Sequence, residues 1–373
     1  MVITAEVFIF CTCIFYMLYK STYIYTVIMI SYIKKLIKKK LVLQSPDTLF
    51  SFNDNGRQNL NKTLIKKFGD LNKDKTFYII KRTPGTGLFS NVVFVLNHLR
   101  IAKKYNFIPI VDMANFKTIY NERKKINNIE NAWNYYFENV SKFTLDEAYK
   151  SAKVIIVSDK FFPHFIYDME NTELSKLINE FIFIKKKFIK ISENFKKNFF
   201  GQKTLGVHFR GTSYKQSPGH PLPATKEQMI KLVKKIVKKD KIDKIFLSSE
   251  EKDYLHLFKK EFSEKIMFLE SSYRSNKNDA FKIYPRLNHR YKMGREVLIE
   301  TLLLSYCDSF IFLNSNVSSA VISLNYNKNQ KRYKIDNGFN SKNIFFAIVL
   351  WYIKRFLPEF LGGFKKDIIV EEV

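Results

Sequence analysis

The chain has 373 residues and a formal net charge of +28, from 63 lysines and arginines against 35 acidic residues. Its hydrophobic fraction of 46% is sufficient for buried cores, which excludes a disordered protein. A surface of this sign attracts nucleic acids, anionic lipid headgroups or phosphorylated substrates, although a lysine-rich codon usage would also raise the charge. No zinc-finger spacing or aromatic RNA-binding signature occurs, so the sequence predicts no nucleic-acid partner.

The first 40 residues form the candidate membrane anchor. Residues 2–33 are mostly apolar and aromatic, interrupted by Glu6 and Lys20, and the basic run KKLIKKK follows at 34–40. The segment either spans a membrane or lies in its interface as an anchor. If it spans, the basic run predicts a membrane-associated protein whose globular part is cytoplasmic. A Golgi-type single-pass anchor with a luminal domain is the alternative.

The rest of the sequence predicts two α/β halves that meet near residue 200. Residues 41–75 are polar and irregular, which indicates a linker or cap. We expect an N-terminal α/β domain over 76–200, a C-terminal α/β domain over 201–340 and an amphipathic tail over 341–373. The tail has basic ends, and it either packs back on the domain or contacts a membrane surface.

In the first half, three apolar runs are predicted strands, and the segments between them are predicted helices. The strands are FYII at 77–80, FIPIV at 107–111 and KVIIV at 153–157. The helices cover 90–104, the aromatic segment 115–150 and, in pieces, 174–198. The first two strands and the helix between them form a predicted βαβ unit.

The second half repeats the alternation. Its predicted strands are LGVHF at 205–209, KIFLSS at 244–249 and SFIF at 309–312, and its helices cover 226–239 and 293–306. Strands separated by helices are typical of a parallel sheet, and in such sheets ligands bind beyond the carboxyl ends of the strands.

Small and polar residues follow four of these strands. They are Gly85 and Gly87, the run from His208 through Arg210 and Thr212 to Ser213, the pair Ser248 and Ser249, and the run from Asn314 to Ser319. Small residues allow the backbone to approach a ligand, free N–H groups and hydroxyls suit phosphate oxygens, and a guanidinium suits a diphosphate. No P-loop lysine motif or G-x-G-x-x-G fingerprint occurs, which disfavours a P-loop ATPase and a standard dinucleotide enzyme. No Asp-x-Asp pair follows a strand, so the sequence predicts no metal.

Each of these residues also has a purely structural interpretation. His208 is compatible with a satisfied core histidine, and Arg210 with a structural ion pair. Gly85 and Gly87 are compatible with a tight turn only. Glu300 lies among apolar neighbours on a predicted helix, where a carboxylate is costly unless it is paired or at a solvent edge.

The order of four segments resembles the α1,6-/O-fucosyltransferase superfamily, from the first glycine segment through the His-x-Arg motif to the serine loop. The match covers residues 80 to 325 and consists of GLFSNVVFVLNHLRIAKKYNFIPIVD, GVHFRGTSY, IFLSSEEKDYLHLFKKEF and HRYKMGREVLIETLLLSYCDSFIFLNSNVSS. The resemblance implies a GT-B-type fold with two Rossmann-like domains and an inverting, metal-independent transfer of fucose from GDP-fucose.

Carried over by position, the resemblance implies a role for each donor-site residue. Arg210 would bind the β-phosphate, and His208 and Glu300 would bind the guanine and its ribose end. A carboxylate suits guanine, whose N1–H and N2–H₂ groups form a two-donor edge. The other implied contacts come from Gly85, Gly87, Thr212, Ser248, Asn316, Ser318 and Ser319.

The sequence departs from the family at the catalytic base. Ser213 stands where the family often has aspartate, and the segment YKQSPG has Lys215 but no carboxylate. Asp112, at the end of the second predicted strand, is one candidate base. Glu138 and Glu250 are others, and a weak or absent base is a further possibility, since the leaving diphosphate needs the larger stabilisation.

The sequence therefore predicts a fucosyltransferase that acts on a glycan or glycolipid at a membrane. The same fold with another nucleotide sugar is one alternative, and an inactive membrane-bound glycan- or lipid-binding relative is another. Cys307 is the single cysteine of the globular part, and the Asn316 sequon lies in the implied phosphate loop. Both favour a reducing, cytoplasmic location.

Overall fold

The computed structural model describes residues 50–52, 58–60, 65–157, 172–277, 279–324 and 326–372. The candidate anchor at 1–40 lies outside these ranges, as does part of the predicted linker at 41–75. Within them, no helix combines the length and the apolar character needed to cross a membrane. Two short strands, β1 (Phe50–Phe52) and β2 (Gln58–Leu60), pair with each other in a separate two-stranded sheet.

The first half contains a four-stranded sheet built from the apolar runs. Its strands are β3 (Ile65–Lys66), β4 (Phe77–Ile80), β5 (Ile108–Val111) and β6 (Val154–Ile156), in the order β3-β6-β4-β5. β4 pairs in parallel with β5 and β6, and β3 pairs antiparallel with β6. All four residues of β4 are buried, as expected for a continuous apolar run at the centre of a sheet. The three predicted strands are confirmed.

The predicted βαβ unit is confirmed as well. Helix α1 (Leu88–Lys104) connects β4 to β5 and ends with Lys103 and Lys104, which favour the negative end of the helix dipole. Asn91, Asn97 and His98 are buried in it together with its apolar residues.

The prediction of a helical segment over 115–150 is wrong. The structure has one 3₁₀ turn (Ala132–Tyr135) and one short helix, α2 (Leu145–Ala148), and the rest consists of turns. Asparagines close these turns: the Asn131 amide accepts from the Met113 N–H at 3.1 Å and donates to the Val111 carbonyl at 2.7 Å. The aromatic side chains are buried from several directions instead of along one helical face.

The basic segment before residue 200 forms two helices, α3 (Thr172–Phe181) and α4 (Lys186–Phe199). The prediction of a helix in pieces is therefore confirmed. The break falls at residues 182–185, where Ile184 forms an isolated bridge with Phe137.

The second half contains a six-stranded sheet in the order β12-β11-β10-β7-β8-β9. All its pairings are parallel except that of β11 with β12. The strands are β7 (Thr204–His208), β8 (Lys244–Ser248), β9 (Ile266–Met267), β10 (Ser309–Phe312), β11 (Lys331–Asp336) and β12 (Ile369–Glu372). The helices are α5 (Lys226–Asp240), α6 (Lys252–Phe262), α7 (His289–Tyr306), α8 (Asn316–Leu324) and α9 (Ile344–Phe356).

Aromatic and polar contacts connect the two sheets. Both sheets belong to one compact unit, Leu60–Val373. The Tyr136 hydroxyl donates to the Tyr291 carbonyl at 2.9 Å, and the two rings stack with their centroids 5.8 Å apart. The Tyr291 N–H in turn donates to the Glu122 carboxylate at 2.9 Å. The turn-rich segment of the first half is thus fixed on helix α7 of the second.

The tail packs back on the second half, as one of the two interpretations of the sequence predicted. Helix α9 contacts a 3₁₀ turn at Thr212–Gln216, and β12 joins the sheet through its pairing with β11. The Trp351 indole N–H donates to the Pro223 carbonyl at 2.8 Å, which attaches the helix at its centre.

Candidate active site

The carboxyl ends of β7, β8 and β10 lie side by side because these strands are parallel and adjacent. His208 at the end of β7 is in register with Ser248 at the end of β8. A cavity of about 80 Å³ opens at this edge of the sheet. Its lining includes His208, Arg210, Ser248, Glu250, Glu300 and Val317.

His208 is buried, neutral and incompletely hydrogen-bonded. Its exposed fraction is 4%, and its Nδ1 atom has no hydrogen-bond partner in the structure. Burial, and then the charge of Arg210, lower the pKa of the imidazole to about 3, so the ring is uncharged at neutral pH. A neutral imidazole offers one donor and one acceptor nitrogen. The interpretation of His208 as a fully satisfied core residue does not fit this environment.

Arg210 has protein partners for only part of its guanidinium group. Its guanidinium lies 3.6 Å from the Glu250 carboxylate and 4.4 Å from the centre of the Tyr214 ring. Its Nε atom is buried without a partner. A bidentate arginine–carboxylate pair has distances of about 2.7–2.9 Å, so the contact with Glu250 is a loose one. The guanidinium therefore retains donors that an anion can use.

Glu250 is held in position by the loop that follows β7. One of its oxygens accepts from the Gly211 N–H at 3.2 Å and from the Thr212 hydroxyl at 3.1 Å. Burial opposes its charge, but the Arg210 guanidinium and the backbone N–H donors outweigh burial and lower the pKa of the carboxyl. The second oxygen faces Arg210.

The neighbouring carboxylate, Glu251, fixes the same loop. It accepts from the Thr212 N–H, and its Oε1 lies 2.7 Å from the Lys215 ammonium. A Cβ at Gly211 would overlap this carboxylate, so the backbone approaches Glu251 as closely as only glycine permits. Two acidic residues after β8 therefore shape the loop that carries Arg210.

Glu300 lies deeper, and its oxygens already have partners. It accepts from the Ser248 hydroxyl at 2.7 Å, from the Ser272 hydroxyl at 2.5 Å and from Arg274 at 3.4 Å. Burial raises the pKa of the Glu300 carboxyl. It lines the cavity, and three donors of the protein already bond to its two oxygens.

The serine loop begins helix α8 at the same edge. The Ser318 hydroxyl is buried and donates to the Leu313 carbonyl at 3.0 Å, and the Ser319 hydroxyl donates to the Ser315 carbonyl at 3.1 Å. The Ser318 N–H bonds to the Ser315 hydroxyl at 3.1 Å. The N–H groups of Asn316 and Val317 are the other donors of this first turn.

The hydroxyl groups that were predicted to contact the nucleotide sugar already donate their protons within the protein. Thr212, Ser248, Ser318 and Ser319 each donate their single hydroxyl proton to a protein acceptor. A phosphate oxygen needs a donor, and a hydroxyl has only one. Arg210 and the first turn of α8 are better suited to an anion than these hydroxyls are.

The predicted glycine segment forms a turn after β4. Gly85 has a φ of 71°, and the turn is closed by the Asn91 side chain, which accepts from the Thr86 N–H at 3.1 Å. Gly87 directly precedes α1, and α1 packs against α8. The two glycines do not line the cavity of His208 and Arg210, but their helix meets the helix of the serine loop.

Asp112 is not placed at the cavity. It is fully buried, and its carboxylate accepts from the Ala114 N–H at 3.1 Å, the Asn115 N–H at 2.9 Å and the Tyr149 hydroxyl at 2.8 Å. These bonds close the turn after β5. A second candidate base, Glu138, is exposed and lies outside the cavity lining, whereas Glu250 lies in it.

Sequence reasoning did not find three residues that build the site. Arg274 and Ser272 come from the loop after β9 and hold Glu300, and the Tyr214 ring lies against Arg210. Tyr214 carried a signal, since an aromatic residue closely follows the His-x-Arg motif. The loop after β9 has no periodicity, so its return to the cavity is not readable from the sequence.

Among the residues that the structure describes, no group of three or more His, Cys, Asp or Glu side chains is arranged to hold a metal ion. Glu250 and Glu300 line one cavity, but each is engaged by donors of the protein.

No protein-family model matches the sequence, and no curated protein matches it. The chain is similar to solved structures of fucosyltransferases. One is NodZ alpha-1,6-fucosyltransferase co-crystallised with GDP, at 14% identity and a TM-score of 0.45, over 71% of this chain and 96% of that one. NodZ from Bradyrhizobium matches at 15% identity and a TM-score of 0.45, over 71% and 95% of the two chains.

A second kind of fucosyltransferase is also similar. POFUT1 in complex with GDP matches at 11% identity and a TM-score of 0.40, over 67% of this chain and 94% of that one.

The uncharged state of His208 predicts a pH-dependent stability. Below pH ~6.5 the unfolded chain binds a proton at this residue and the folded chain does not, so stability falls as the pH falls towards the folded pKa of about 3. Between pH ~7.5 and ~5 the loss from this residue is about 2 kcal/mol. We expect His208→Asn to lose that much less free energy of unfolding than wild type over this interval, measured by urea denaturation.

The exposed His256 supplies the matched control. His256→Asn should show the same pH dependence as wild type. If His208→Asn and wild type lose equal free energy between the two pH values, the imidazole is protonated in the folded protein.

Proposed function

We propose that the protein is a fucosyltransferase that binds GDP-fucose at the carboxyl edge of the second sheet and transfers fucose to a glycan or glycolipid hydroxyl. The observation that carries this proposal is the convergence of His208, Arg210 and Glu250 in one cavity beside the first turn of α8. Fucose, guanine and diphosphate as the groups recognised come from the resemblance of the sequence motifs, and the geometry supports the choice of residues that would bind them.

The diphosphate would bind between Arg210 and α8. The guanidinium has a loose ion pair and an unpartnered Nε, and its side chain is 24% exposed. Val317, in the first turn of α8, lines the same cavity. Helix N-termini favour anions through their free N–H groups and their dipole. Arg210 and the N-terminus of α8 would therefore both contribute positive electrostatic potential to the same cavity.

The guanine edge is better matched by Glu250 than by Glu300. Guanine presents two donors, N1–H and N2–H₂, so it needs a carboxylate with free acceptor capacity. The oxygens of Glu300 are taken by Ser248, Ser272 and Arg274, whereas one oxygen of Glu250 has only the loose contact with Arg210. We therefore assign guanine recognition to Glu250, and we assign to Glu300 the support of the β8 end.

The transfer step requires charge stabilisation more than proton removal. The acceptor oxygen attacks the anomeric carbon of fucose while the bond from that carbon to the β-phosphate oxygen breaks, with inversion. Negative charge develops on GDP, and Arg210 and the α8 N-terminus are placed to stabilise it. Asp112 is committed to its turn, so we do not retain it as the base. The hydroxyl proton would pass to solvent or to a group that the acceptor brings.

The two sheets suggest a GT-B-type division of labour. In this proposal the six-stranded sheet carries the donor, and the four-stranded sheet shapes the acceptor side. The contacts of Tyr136 and Glu122 with Tyr291 would hold the acceptor side in place on α7. If the protein were an inactive glycan-binding relative, it would neither hydrolyse GDP-fucose nor transfer fucose. If its donor were another nucleotide sugar, that sugar would be turned over in the same assay in place of GDP-fucose.

Substitution of Arg210 tests the diphosphate contact. We expect Arg210→Lys to lower kcat by at least ~10²-fold, because a single ammonium cannot reproduce the fork of donors that faces the developing charge. Single-turnover transfer or donor hydrolysis with GDP-fucose measures the change. The exposed Arg123 provides the control, since Arg123→Lys makes the same chemical change away from the cavity. Near-normal turnover in Arg210→Lys would refute the assignment.

Inosine diphosphate tests the guanine contact, because it differs from GDP only in lacking the 2-amino group. We expect wild type to bind GDP at least ~10-fold more tightly than inosine diphosphate, since a hydrogen bond to a charged group contributes about 1.5–3 kcal/mol. Calorimetry should show that Glu250→Gln loses most of this preference and that Glu300→Gln keeps it. The reverse result would return guanine recognition to Glu300.

Removal of metal ions tests the predicted metal independence. We expect GDP-fucose turnover to be unchanged by an excess of EDTA, because Arg210 and a helix N-terminus supply the positive charge in this proposal. Turnover would be compared before and after chelation, and again after Mg²⁺ or Mn²⁺ is restored. Loss on chelation and recovery with either ion would contradict the proposed diphosphate contacts.

A further inference from the structure

Helix α9 and the 3₁₀ turn after it expose a continuous row of apolar side chains. Phe356 and Phe360 are 82% and 84% exposed, and Phe346 and Leu361 are 65% and 58% exposed. Ile353 and Leu357 complete the row, at 47% and 37%. Within α9, Phe346, Ile353 and Phe356 recur at intervals of seven and three residues, which places them on one side of the helix, and Leu357, Phe360 and Leu361 follow the end of the helix. We call these six residues the apolar C-terminal face. Large apolar groups in such a contiguous patch mark an interaction surface.

The opposite side of α9 is fixed to the protein. Ala347 and Trp351 are buried, and the Ala347 carbonyl accepts from the Asn340 amide at 3.0 Å. The Trp351 indole donates to the Pro223 carbonyl at 2.8 Å. Because the inner side has these partners, the helix cannot rotate to bury the apolar C-terminal face without losing them.

Basic residues surround the face. Lys342, Lys365 and Lys366 are exposed next to it, and Lys354 and Arg355 lie on α9 itself. The closest distance between the Arg355 guanidinium and the Glu227 carboxylate is 4.0 Å, so this surface ion pair is weak. The acidic residues nearby are Glu227, Glu359 and Asp367, and the Asp367 carboxylate is 2.6 Å from the Lys231 ammonium. The rim of the face is therefore net positive.

The length of α9 determines how it would meet a lipid bilayer. Its 13 residues span about 20 Å, less than the hydrocarbon thickness of about 30 Å. A short helix with one apolar side and lysines at its border lies in the plane of the interface, with the apolar side buried at the boundary of headgroups and acyl chains.

We propose that the apolar C-terminal face inserts into the interface of a membrane that contains anionic lipids. Positive charge at the rim attracts anionic headgroups, and aromatic and aliphatic side chains supply the buried area. A second copy of the chain fits this face less well, because two copies would place the same lysines and arginines opposite each other. The inference is independent of the proposed catalytic function.

A position-specific measurement separates this face from the candidate anchor at 1–40, which could also bind vesicles. The full chain has two tryptophans, Trp133 and Trp351, and both are buried. Phe356→Trp would place an indole on the face, and Leu287→Trp would place one at a site that is 79% exposed on the loop before α7. Both variants would be mixed with vesicles of phosphatidylglycerol and phosphatidylcholine whose acyl chains carry bromine, which quenches nearby indoles.

We expect quenching, after subtraction of the wild-type signal, to be several-fold stronger in Phe356→Trp than in Leu287→Trp. It should weaken when phosphatidylglycerol is omitted or when salt is raised, because the lysines act through the lipid charge. Equal quenching of the two variants in vesicle-bound protein would overturn the proposal, and so would failure of the protein to bind the vesicles. A concentration-dependent blue shift of Phe356→Trp without lipid would assign the face to self-association instead.

Discussion

Ionisable side chains lie together, partly buried, just after the ends of β7 and β8, and the pairing of their charges determines the rest of the site. Arg210 needs a negative partner, and Glu250 needs donors that outweigh the cost of its burial. The loop after β7 supplies those donors through Gly211 and Thr212, and Glu251 holds the same loop with Lys215. Arg210 is thus positioned by the very carboxylates that follow the neighbouring strand.

The parallel register explains why residues distant in the sequence can meet in this way. His208 and Ser248 lie opposite each other across β7 and β8, so the motifs that follow the two strands emerge at the same edge. β10 on the other side of β7 brings the serine loop there as well. One sheet edge therefore gathers a neutral imidazole, a cation and a helix N-terminus.

Much of this arrangement could be predicted from the sequence, because strands and the polar residues at their ends leave local patterns. FYII and the LGV that opens LGVHF are short runs without a charged residue, and both belong to strands in the interior of a sheet. His208 ends such a strand and Arg210 lies two residues beyond it, so their place at the sheet edge follows from the alternation of strands and helices. The prediction of a helical segment over 115–150 is wrong because its aromatic residues pack in several directions around turns that asparagines close.

The finer choice among carboxylates could not be predicted from the sequence. Asp112, Glu250 and Glu300 each lie at a strand end or on an apolar helix, and sequence alone gives no count of the donors around each. The structure supplies that count: Asp112 closes a turn, Glu300 takes two serine hydroxyls, and Glu250 keeps an oxygen for Arg210. The donors that reach each carboxylate come from loops distant in the sequence, so they are determined by the tertiary structure.

The loose pair of Arg210 and Glu250 has a consequence for the release of product. Each of these charges has the other as its partner at 3.6 Å, so neither is an isolated, partly buried ion. In the proposed enzyme a nucleotide would draw the two apart, one towards phosphate and the other towards the base. When the spent nucleotide leaves, each charge returns to the other, which lowers the cost of vacating the site. In the proposed enzyme such a pair would limit how tightly the product is held and would so favour its release.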